Sequence, residues 1–331
     1  MTEDKLKKYT DLASEKLGGK VLYATDDFFA EKENLIKEGR GVFIEDKYTD
    51  RGKWMDGWES RRKRVPGHDW AIIKLGAKGS IKGFDIDTNH FLGNHPPFAS
   101  VEAINLENDL QDWSKADELP WKEILTKSPL DPGSQHFLTS ECDAVYSHIR
   151  LHIYPDGGVA RFRVYGTVFK DWSTVNKDEV IDLVLATNCG KAVCCNDMFF
   201  SAMDNLIAPT SSKNMGDGWE TKRNRTLNNE DWVIVKLGHA GVVQKIIVDT
   251  KHFKGNYPDS CAIDACNCDD ETDLETFDNW FSLLPNKKLE ADTEHHFEKG
   301  VINRHEAITH VKLKIYPDGG ISRLRILGII K

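Results

Sequence analysis

The sequence predicts an all-β protein that consists of two tandem β-sandwich domains related by an internal duplication. Three observations support this fold class. Several blocks of sequence occur twice, and the two copies are always separated by nearly the same number of residues. Apolar and polar residues alternate over short segments. Glycine-rich turns are frequent, whereas helical signals are weak. Many short strands joined by polar turns are typical of β-sandwiches and jelly rolls. A chain of 331 residues is long enough for two such domains, each with its own core.

The duplication is visible in motifs that recur once along the chain. The stretch Ile-Tyr-Pro-Asp-Gly-Gly occurs at 153–158 and again at 315–320, a separation of 162 residues. Asp-Gly-Trp-Glu occurs at 56–59 and again at 217–220, a separation of 161 residues. Because the separation is nearly constant, we expect one topology in both copies and domains at residues 1–170 and 171–331. Solenoid repeats, which recur every ~20–50 residues, are excluded.

Hydrophobic periodicity locates the strands within each copy. From His148 to Tyr154, apolar residues alternate with polar ones, which is the period of a half-buried strand. The glycine-rich turn 155–158 follows, and the next strand is expected to bury Phe162 and Val164. Helices are expected only in three short segments, at residues 4–17, 32–37 and 174–185.

Arginines cluster on one face of the strand after this turn. Arg161 and Arg163 are two residues apart, so their side chains leave the strand on the same side. If the two strands of the hairpin pair with each other, Arg150 and His152 join that face. Such a cluster predicts an anion, and guanidinium groups suit a carboxylate; pairing with acidic residues of the scaffold is an equally good interpretation. The second copy has the corresponding pair, Arg323 and Arg325.

The motif at 56–59 combines carboxylates, an aromatic ring and two following arginines in seven residues. Asp56 and Glu59 can serve as acid, base or metal ligand, and Arg62 can hold an oxyanion or a carboxylate. The alternative is an internal ion network in which Trp58 anchors the core. The second copy supplies Glu220 and Arg223 at the matching positions.

A histidine follows a strand directly in each copy, at His90 and His252. A histidine in this position can act as a general acid or base near neutral pH. A hydrogen-bonded structural histidine is the alternative. His90 and His95 would form a metal site with a carboxylate, but Tyr257 replaces His95 in the second copy, and no metal ligand is assigned.

Composition and the absence of certain motifs exclude several kinds of partner and reaction. The formal net charge is −9 and no apolar run approaches the roughly 20 residues of a membrane span, so neither nucleic acid nor a membrane is predicted as a partner. The first eight residues lack the features of a secretory signal and the last residues lack a peroxisomal one, which predicts a cytoplasmic protein. The sequence contains neither a phosphate-binding glycine loop nor a nucleophile elbow, so nucleotide chemistry and serine hydrolysis are not predicted.

The seven cysteines are expected to be free thiols, because six of them lie in the second copy and a duplicated disulfide framework is therefore excluded. The pairs Cys194–Cys195 and Cys266–Cys268 suit a soft metal ion. No second pair stands at structural zinc spacing, however, and free thiols are the preferred interpretation.

Four blocks of the sequence together resemble the allantoicase family. They are 26–29 with 34–35, 56–62, 93–94 with Pro96, and the two Tyr-Pro-Asp-Gly-Gly hairpins, and the resemblance covers residues 18–328. The resemblance implies two jelly-roll β-sandwich repeats, similar to the galactose-binding and discoidin-like fold, that associate into a homo-oligomer. It also implies a hydrolase of carbon–nitrogen bonds in linear amidines, which converts allantoate to urea and (S)-ureidoglycolate in purine degradation. No cofactor is predicted, and the metal requirement is left open.

Roles in this reaction follow as hypotheses from its chemistry. An acid such as Glu59 or His90 would protonate the leaving ureido nitrogen, and Asp56 would orient the water. The first copy is favoured as the active one because it is richer in ionisable groups. A non-catalytic discoidin-like module that binds a small anionic ligand or a sugar is the alternative from another class. The predicted catalytic residues are thus Asp56, Glu59, His90 and Glu220, and the predicted substrate-binding residues are Arg62, Arg161, Arg163, Arg223, Arg323 and Arg325.

Overall fold

The computed structural model describes residues 3–140, 142–269, 271–303 and 305–331. The chain divides into two compact units, Met1–Phe169 and Lys170–Lys331. Regular structure in the described residues is almost entirely β, with one short helix, α1 (Glu3–Leu6), and several 3-10 turns. None of the helices in this part of the chain has the length and apolar character needed to span a bilayer.

In the described part of the first unit, most strands are short and one is long. They are β1 (Thr10–Asp11), β2 (Lys20–Ala24), β3 (Tyr48–Thr49), β4 (Gly52–Lys53), β5 (Trp58–Glu59), β6 (Asp69–Asp87), β7 (Phe98–Ile104), β8 (Lys122–Pro129), β9 (Gln135–Thr139), β10 (Val145–Tyr154), β11 (Gly158–Val159) and β12 (Arg161–Val168). The 3-10 turns of this unit are Glu15–Leu17, Lys32–Ile36 and Trp113–Glu118.

The second unit repeats this order without counterparts of β3 and β4 among its described residues. Its strands are β13 (Ile181–Asp182), β14 (Lys191–Cys195), β15 (Trp219–Glu220), β16 (Asp231–Asp249), β17 (Ser260–Cys266), β18 (Phe281–Lys288), β19 (Glu294–Glu298), β20 (Ile308–Tyr316), β21 (Gly320–Ile321) and β22 (Arg323–Ile330). Its 3-10 turns are Trp172–Thr174, Ala186–Asn188, Met203–Ile207 and Met215–Asp217.

The 19-residue strands β6 and β16 each take part in two sets of strands. The first part of β6 pairs with β2 and β10, whereas its last part pairs with β12 and β9. In the same way, β16 pairs first with β14 and β20 and then with β22 and β19. A strand that passes from one sheet to the other forms a corner of a β-sandwich. Each unit is therefore the two-sheet β-sandwich that the sequence predicts.

The apolar positions of the predicted strands form the core of the first unit. Ile149 and Leu151 of β10 and Phe162 and Val164 of β12 are fully buried, which confirms that these apolar positions face the core. Burial of each such side chain contributes about 1.5–3 kcal/mol. The ring of Phe162 stacks on Phe84 of β6 with centroids 5.8 Å apart, so packing joins neighbouring strands as well as the two sheets.

Of the three expected helices, the first is shorter than predicted and the third is absent from the described residues. Segment 4–17 contains α1, β1 and a 3-10 turn, and segment 174–185 contains β13, while the turn expected at 32–37 is present as a 3-10 helix. Tertiary pairing overrides helix propensity in both segments. Asp11 accepts a hydrogen bond from Val164 N at 3.0 Å and Asp182 accepts one from Ile326 N at 3.2 Å, which holds these segments against the last strand of each unit.

The two strands of the predicted hairpin do not pair with each other, because β6 lies between β10 and β12. Arg150 and His152 therefore do not join the face of Arg161. Instead, both contact Glu102 on β7, through Arg150 Nε and His152 Nε2, at 2.8 Å each. Strand β10 is also buried on both faces rather than half-buried.

Candidate active site

Glu59 is held at a junction of three chain segments in the first unit. Its strand β5 pairs with β11, where Glu59 lies opposite Gly158, and Glu59 N donates to Ala30 O at 3.1 Å. Asn94 Nδ2 donates to Glu59 Oε1 at 2.7 Å, and Asn94 O accepts a hydrogen bond from Gly158 N at 2.8 Å. Backbone pairing on both sides fixes the position of Glu59, and Asn94 orients its carboxyl group.

The second unit contains the same arrangement around Glu220. Asn256 Nδ2 donates to Glu220 Oε1, and Asn256 O accepts a hydrogen bond from Gly320 N at 2.9 Å. The backbone of Glu220 forms a bridge with Ser201, as that of Glu59 does with Ala30. The glutamate–asparagine contact is thus part of the duplicated structure.

The Tyr-Pro-Asp-Gly-Gly turn is what brings the asparagine to the glutamate. Gly157 has a φ of +133°, and a Cβ at this position would lie 2.5 Å from Asn94 O. A Cβ at Gly158 would lie 2.0 Å from the ring of Phe91. Only glycine allows so close an approach with this backbone conformation. The peptide bond before the proline of each turn is cis, at Tyr154–Pro155 and Tyr316–Pro317.

Trp58 anchors the segment that carries the arginines. Its side chain is fully buried, and Nε1 donates to Asp26 O at 2.8 Å. The carboxylate of Asp26 accepts hydrogen bonds from Arg61 N at 3.0 Å and Arg61 Nε at 2.6 Å. Burial favours the neutral acid, but the bonds from Arg61 outweigh it and hold the pKa of Asp26 below its usual range. Trp58 is thus the core anchor that the sequence offered as an alternative, and it fixes the start of the segment that continues to Arg62.

An open pocket of about 760 Å³ surrounds Glu220 in the second unit, a size typical of small-molecule sites. Its lining combines polar and apolar surface and includes Phe200, Glu220, Arg223, Asn224, Arg225, Asn256, Tyr257 and Asp318. By the repeat spacing, the corresponding residues of the first unit are Glu59, Arg62, Lys63, Arg64, Asn94, His95 and Asp156. Phe29 corresponds to Phe200, because each precedes the residue that forms a bridge with the glutamate, Ala30 or Ser201.

Arg62 and Arg223 are free to bind an anion. Both are exposed, and neither forms a hydrogen bond or an ion pair with any residue that the structure describes. Arg223 lines the pocket together with Glu220. A guanidinium group of this kind offers paired N–H donors that match the two oxygens of a carboxylate.

The other predicted arginines are engaged in the scaffold of their own unit. Arg161 is 3% exposed, and its Nη2 donates to Asp56 Oδ2 at 2.8 Å. Asp56 also accepts a hydrogen bond from Val42 N at 2.9 Å. Burial favours the neutral form of Asp56, but the hydrogen bonds from Arg161 and Val42 N and the charges of Arg161 and Lys37 together outweigh it and hold the pKa of Asp56 below its usual range. The same buried pair recurs as Arg323 and Asp217.

Arg163 and Arg325 bind backbone carbonyls. Arg163 donates to Ile36 O at 3.3 Å and to Gly39 O at 2.6 Å, and Arg325 donates to Leu206 O at 3.2 Å. Neither Arg323 nor Arg325 is among the residues that line the pocket of the second unit. The structure therefore places Arg223, rather than Arg323 or Arg325, in one pocket with Glu220, and Arg62 occupies the corresponding sequence position beside the Glu59 motif.

His90 contacts a loop rather than Glu59. Its Nε2 lies 3.1 Å from Gly41 O, and its ring lies 5.5 Å from the ring of Phe43. In the second unit, His252 Nε2 lies 2.9 Å from Ser212 O. Both residues have a positive φ, +67° and +71°, at the end of the long strand. Each histidine thus holds a loop in place, and the sequence had offered this as the alternative to acid–base chemistry.

The electrostatic environment of Glu59 suits an acid. Burial raises its pKa above the ordinary value of glutamic acid, and the hydrogen bond from Asn94 offsets this only in part. No cation among the described residues lies within ion-pair distance of Glu59. Asn94 and Asn256 were not predicted as site residues, although the repeated Gly-Asn at 93–94 and 255–256 was a visible signal.

Comparison with known proteins identifies the relationship. A family model described as the allantoicase repeat matches residues 10–169 and 181–331. A protein of Pseudomonas savastanoi pv. phaseolicola named "Probable allantoicase" is 50% identical over 324 residues, which cover 97% of this chain and 96% of the relative. A similarly named protein of Photobacterium profundum is 47% identical over 325 residues, with the same coverage.

A solved structure agrees with the sequence relationship. The crystal structure of allantoicase from Saccharomyces cerevisiae superposes with a TM-score of 0.83 at 37% identity, and covers 98% of this chain and 97% of the yeast chain. The match extends over both repeats, so the two chains share the duplicated β-sandwich. The chain belongs to the allantoicase repeat family.

Proposed function

We propose that this chain is an allantoicase that hydrolyses allantoate to urea and ureidoglycolate, with one active site in each unit. The observation that carries the assignment of the site is the oriented glutamate that shares a pocket with an unpaired arginine, Glu220 with Arg223, and the repeat places Glu59 and Arg62 at the matching positions of the first unit. Purified protein mixed with allantoate is expected to release urea in stoichiometric amounts. If allantoate binds without any release of urea, the chain is a binding module of the discoidin-like kind instead.

The chemistry of allantoate fits these groups. The substrate carries one carboxylate and two ureido groups on a single carbon, and the arginine binds the carboxylate through paired hydrogen bonds. The protonated glutamate donates its proton to the leaving ureido nitrogen as the carbon–nitrogen bond breaks, and the second ureido nitrogen stabilises the electron-poor carbon. The glutamate, now ionised, takes a proton from water as the water oxygen bonds to that carbon. This step restores the protonated glutamate.

Removal of both pocket arginines is expected to weaken substrate binding. In Arg62→Ala/Arg223→Ala, the KM for allantoate should rise about 10–100-fold with little change in kcat, because a lost hydrogen bond to a charged group costs about 1.5–3 kcal/mol. Initial rates of urea release at varied allantoate concentration measure both constants. Lys20→Ala/Lys299→Ala removes one exposed positive charge from each unit outside the pocket and should leave KM unchanged. An unchanged KM in the pocket variant contradicts the carboxylate role.

The pH dependence of the first unit should report the protonated form of Glu59. In Glu220→Gln, which leaves the first unit active, kcat/KM should fall as pH rises through the pKa of Glu59. Because burial raises that pKa, the fall should occur above the range of an ordinary glutamic acid. Asn94→Ala in the same background removes a hydrogen bond that lowers the pKa, so the fall should move to still higher pH.

The matched control for this shift is Asn256→Ala in the Glu220→Gln background, which alters only the silenced site. Its kcat/KM profile should coincide with that of Glu220→Gln alone. A fall in the ordinary range of glutamic acid, or a shift to lower pH on loss of Asn94, disagrees with an acid role for Glu59.

We assign activity to both units rather than to the first alone. The preference for the first copy rested on its additional ionisable residues, among them His68. His68 Nε2 lies 2.8 Å from His152 Nδ1 and is engaged in that contact. The glutamate–asparagine pair and the unpaired arginine, by contrast, recur in the second unit.

The proposal extends to a cytoplasmic homo-oligomer. All seven cysteines are free thiols, as expected of a reducing compartment. The exposed apolar side chains of Val42, Phe43 and Ile44 form a patch of the kind that is often buried between subunits. Light scattering coupled to gel filtration measures the assembly, and a monomer of 37.6 kDa would contradict it. Cell fractionation tests the compartment.

A further inference from the structure

Two neighbouring strands of the second unit place a cysteine opposite a histidine. Strands β17 and β20 pair in an antiparallel register in which Cys266 lies directly opposite His310. Side chains of directly opposite residues leave the sheet on the same face, with Cβ atoms about 4.5–5.5 Å apart. Both side chains are almost completely buried, at 1% and 2% exposed. The register alone therefore brings a thiol and an imidazole together.

Cys268 is held beside them by Thr309. Cys268 N donates to Thr309 Oγ1 at 3.0 Å, and Thr309 Oγ1 donates to Cys268 O at 3.1 Å. These bonds fix the residue that follows β17, so that Cys268 Sγ lies 3.6 Å from Cys266 Sγ and 3.3 Å from His310 Nδ1. The three potential ligand atoms all lie within 4.8 Å of one another.

This spacing matches a tetrahedral zinc centre. With Zn–S bonds of about 2.3 Å and Zn–N bonds of about 2.0 Å, two thiolates are separated by about 3.8 Å and a thiolate and an imidazole by about 3.5 Å. The two separations from Cys268 Sγ, to Cys266 Sγ and to His310 Nδ1, differ from these by only about 0.2 Å, and the third lies within 4.8 Å. We propose that Cys266, Cys268 and His310 form a binding site for zinc(II), with two thiolates, one imidazole and a fourth position for water. On binding, the metal replaces the contact of Thr309 Oγ1 with His310 Nδ1, which is 2.9 Å long.

The site is separate from the pocket of the second unit. The pocket lies where β17 begins and β20 ends, at Asp259 and Pro317, whereas Cys266 and His310 lie at the other ends of the same strands. Seven residues of extended strand span about 20 Å. The metal would therefore join β17, β20 and the segment after β17 without touching the substrate, which indicates a structural role.

The first unit supplies a natural comparison without the thiols. By the repeat spacing, Ile104 and Leu106 stand where the second unit has Cys266 and Cys268, while His148 corresponds to His310. In the first unit, His148 lies opposite Ile104 in the same register and contacts Ser147 Oγ at 2.8 Å. The double variant Cys266→Ile/Cys268→Leu thus installs side chains that the same fold already accepts at these positions.

The test is metal binding by the full chain under reducing conditions after treatment with a chelator. Titration with zinc, followed by calorimetry, should give one tight site per chain, and cobalt in its place should show thiolate-to-metal charge-transfer absorption. In Cys266→Ile/Cys268→Leu, the affinity should fall more than about 100-fold, since loss of ligands exceeds the ~10–100-fold effect of outer-shell changes. Cys194→Ser/Cys195→Ser, the control, should bind zinc like the unchanged chain.

A second measurement does not depend on folding of the variant. Zinc should protect Cys268, the partly exposed thiol of the site, from alkylation in the unsubstituted chain, as read by mass spectrometry of peptides, while Cys142 and Cys194 react at unchanged rates. Urea release should persist after zinc is removed, and the melting temperature should fall. Absence of zinc binding, undiminished binding by Cys266→Ile/Cys268→Leu, or protection of Cys194 instead would each overturn the proposal.

Discussion

Replacement of both Glu59 and Glu220 with glutamine is expected to lower kcat for urea release by about 10²–10⁴-fold, the usual contribution of a positioned acid or base. Glutamine keeps the side-chain length and the Oε1 acceptor for the asparagine amide. It cannot donate a proton to the leaving nitrogen or accept one from water. The loss should therefore appear in kcat, with KM changed little, in initial-rate measurements over a range of allantoate concentrations.

The single variants separate a two-site enzyme from a one-site enzyme. If each unit works independently, Glu59→Gln and Glu220→Gln should each retain roughly half of kcat, and only the double variant should show the full effect. Glu123→Gln/Glu290→Gln removes two exposed carboxylates, one from each unit, and should behave like the unchanged chain. A complete loss in Glu59→Gln alone would assign all activity to the first unit and contradict the two-site proposal.

Sequence periodicity predicted the features of the fold that depend on local sequence, namely strands and their buried positions. The alternation in 148–154 and the glycine turn after it identified β10 and buried Phe162 and Val164, because strand geometry fixes which side chains share a face. The repeat predicted two units of one topology, because the repeated motifs stand at a nearly constant separation. The resemblance to allantoicases named the correct family, since the blocks that carry it recur in both copies.

The residues that a strand side chain contacts across the fold could not be predicted from the sequence pattern. The sequence left substrate binding and scaffold pairing open for Arg161, and it did not indicate the partner that the structure shows, Asp56, which is 105 residues away in the chain. The Glu59–Asn94 contact spans 35 residues and depends on a glycine turn that comes later than both. The Cys266–His310 register is equally remote in sequence. Such contacts are set by strand order, in which β6 separates β10 from β12, and short motifs carry no information about that order.

Arg161→Met is expected to destabilise the first unit by about 3–5 kcal/mol, the usual cost of leaving one partner of a buried ion pair uncompensated. Arg161 and Asp56 expose only 4% and 10% of their side chains, so water cannot replace the lost guanidinium. For a unit of this size, the melting temperature should fall by about 6–20 °C, as measured by calorimetry. Arg323→Met should have the same effect on the second unit, where Asp217 takes the place of Asp56.

A substitution of Asp56, the partner of Arg161, distinguishes a role of Arg161 in the fold from a role in substrate binding. Asp56→Asn added to Arg161→Met removes the stranded charge but keeps an acceptor for Val42 N, so most of the stability should return. The KM for allantoate is measured in the Glu220→Gln background, so that only the first unit reports. If Arg161 serves only the fold, the KM of the Arg161→Met/Asp56→Asn variant in this background should equal that of Glu220→Gln alone. If Arg161 holds the substrate carboxylate, KM should stay raised after stability is restored. Arg62→Ala in the same background should show the opposite pattern, a raised KM with an unchanged melting temperature, because Arg62 has no partner among the described residues to lose.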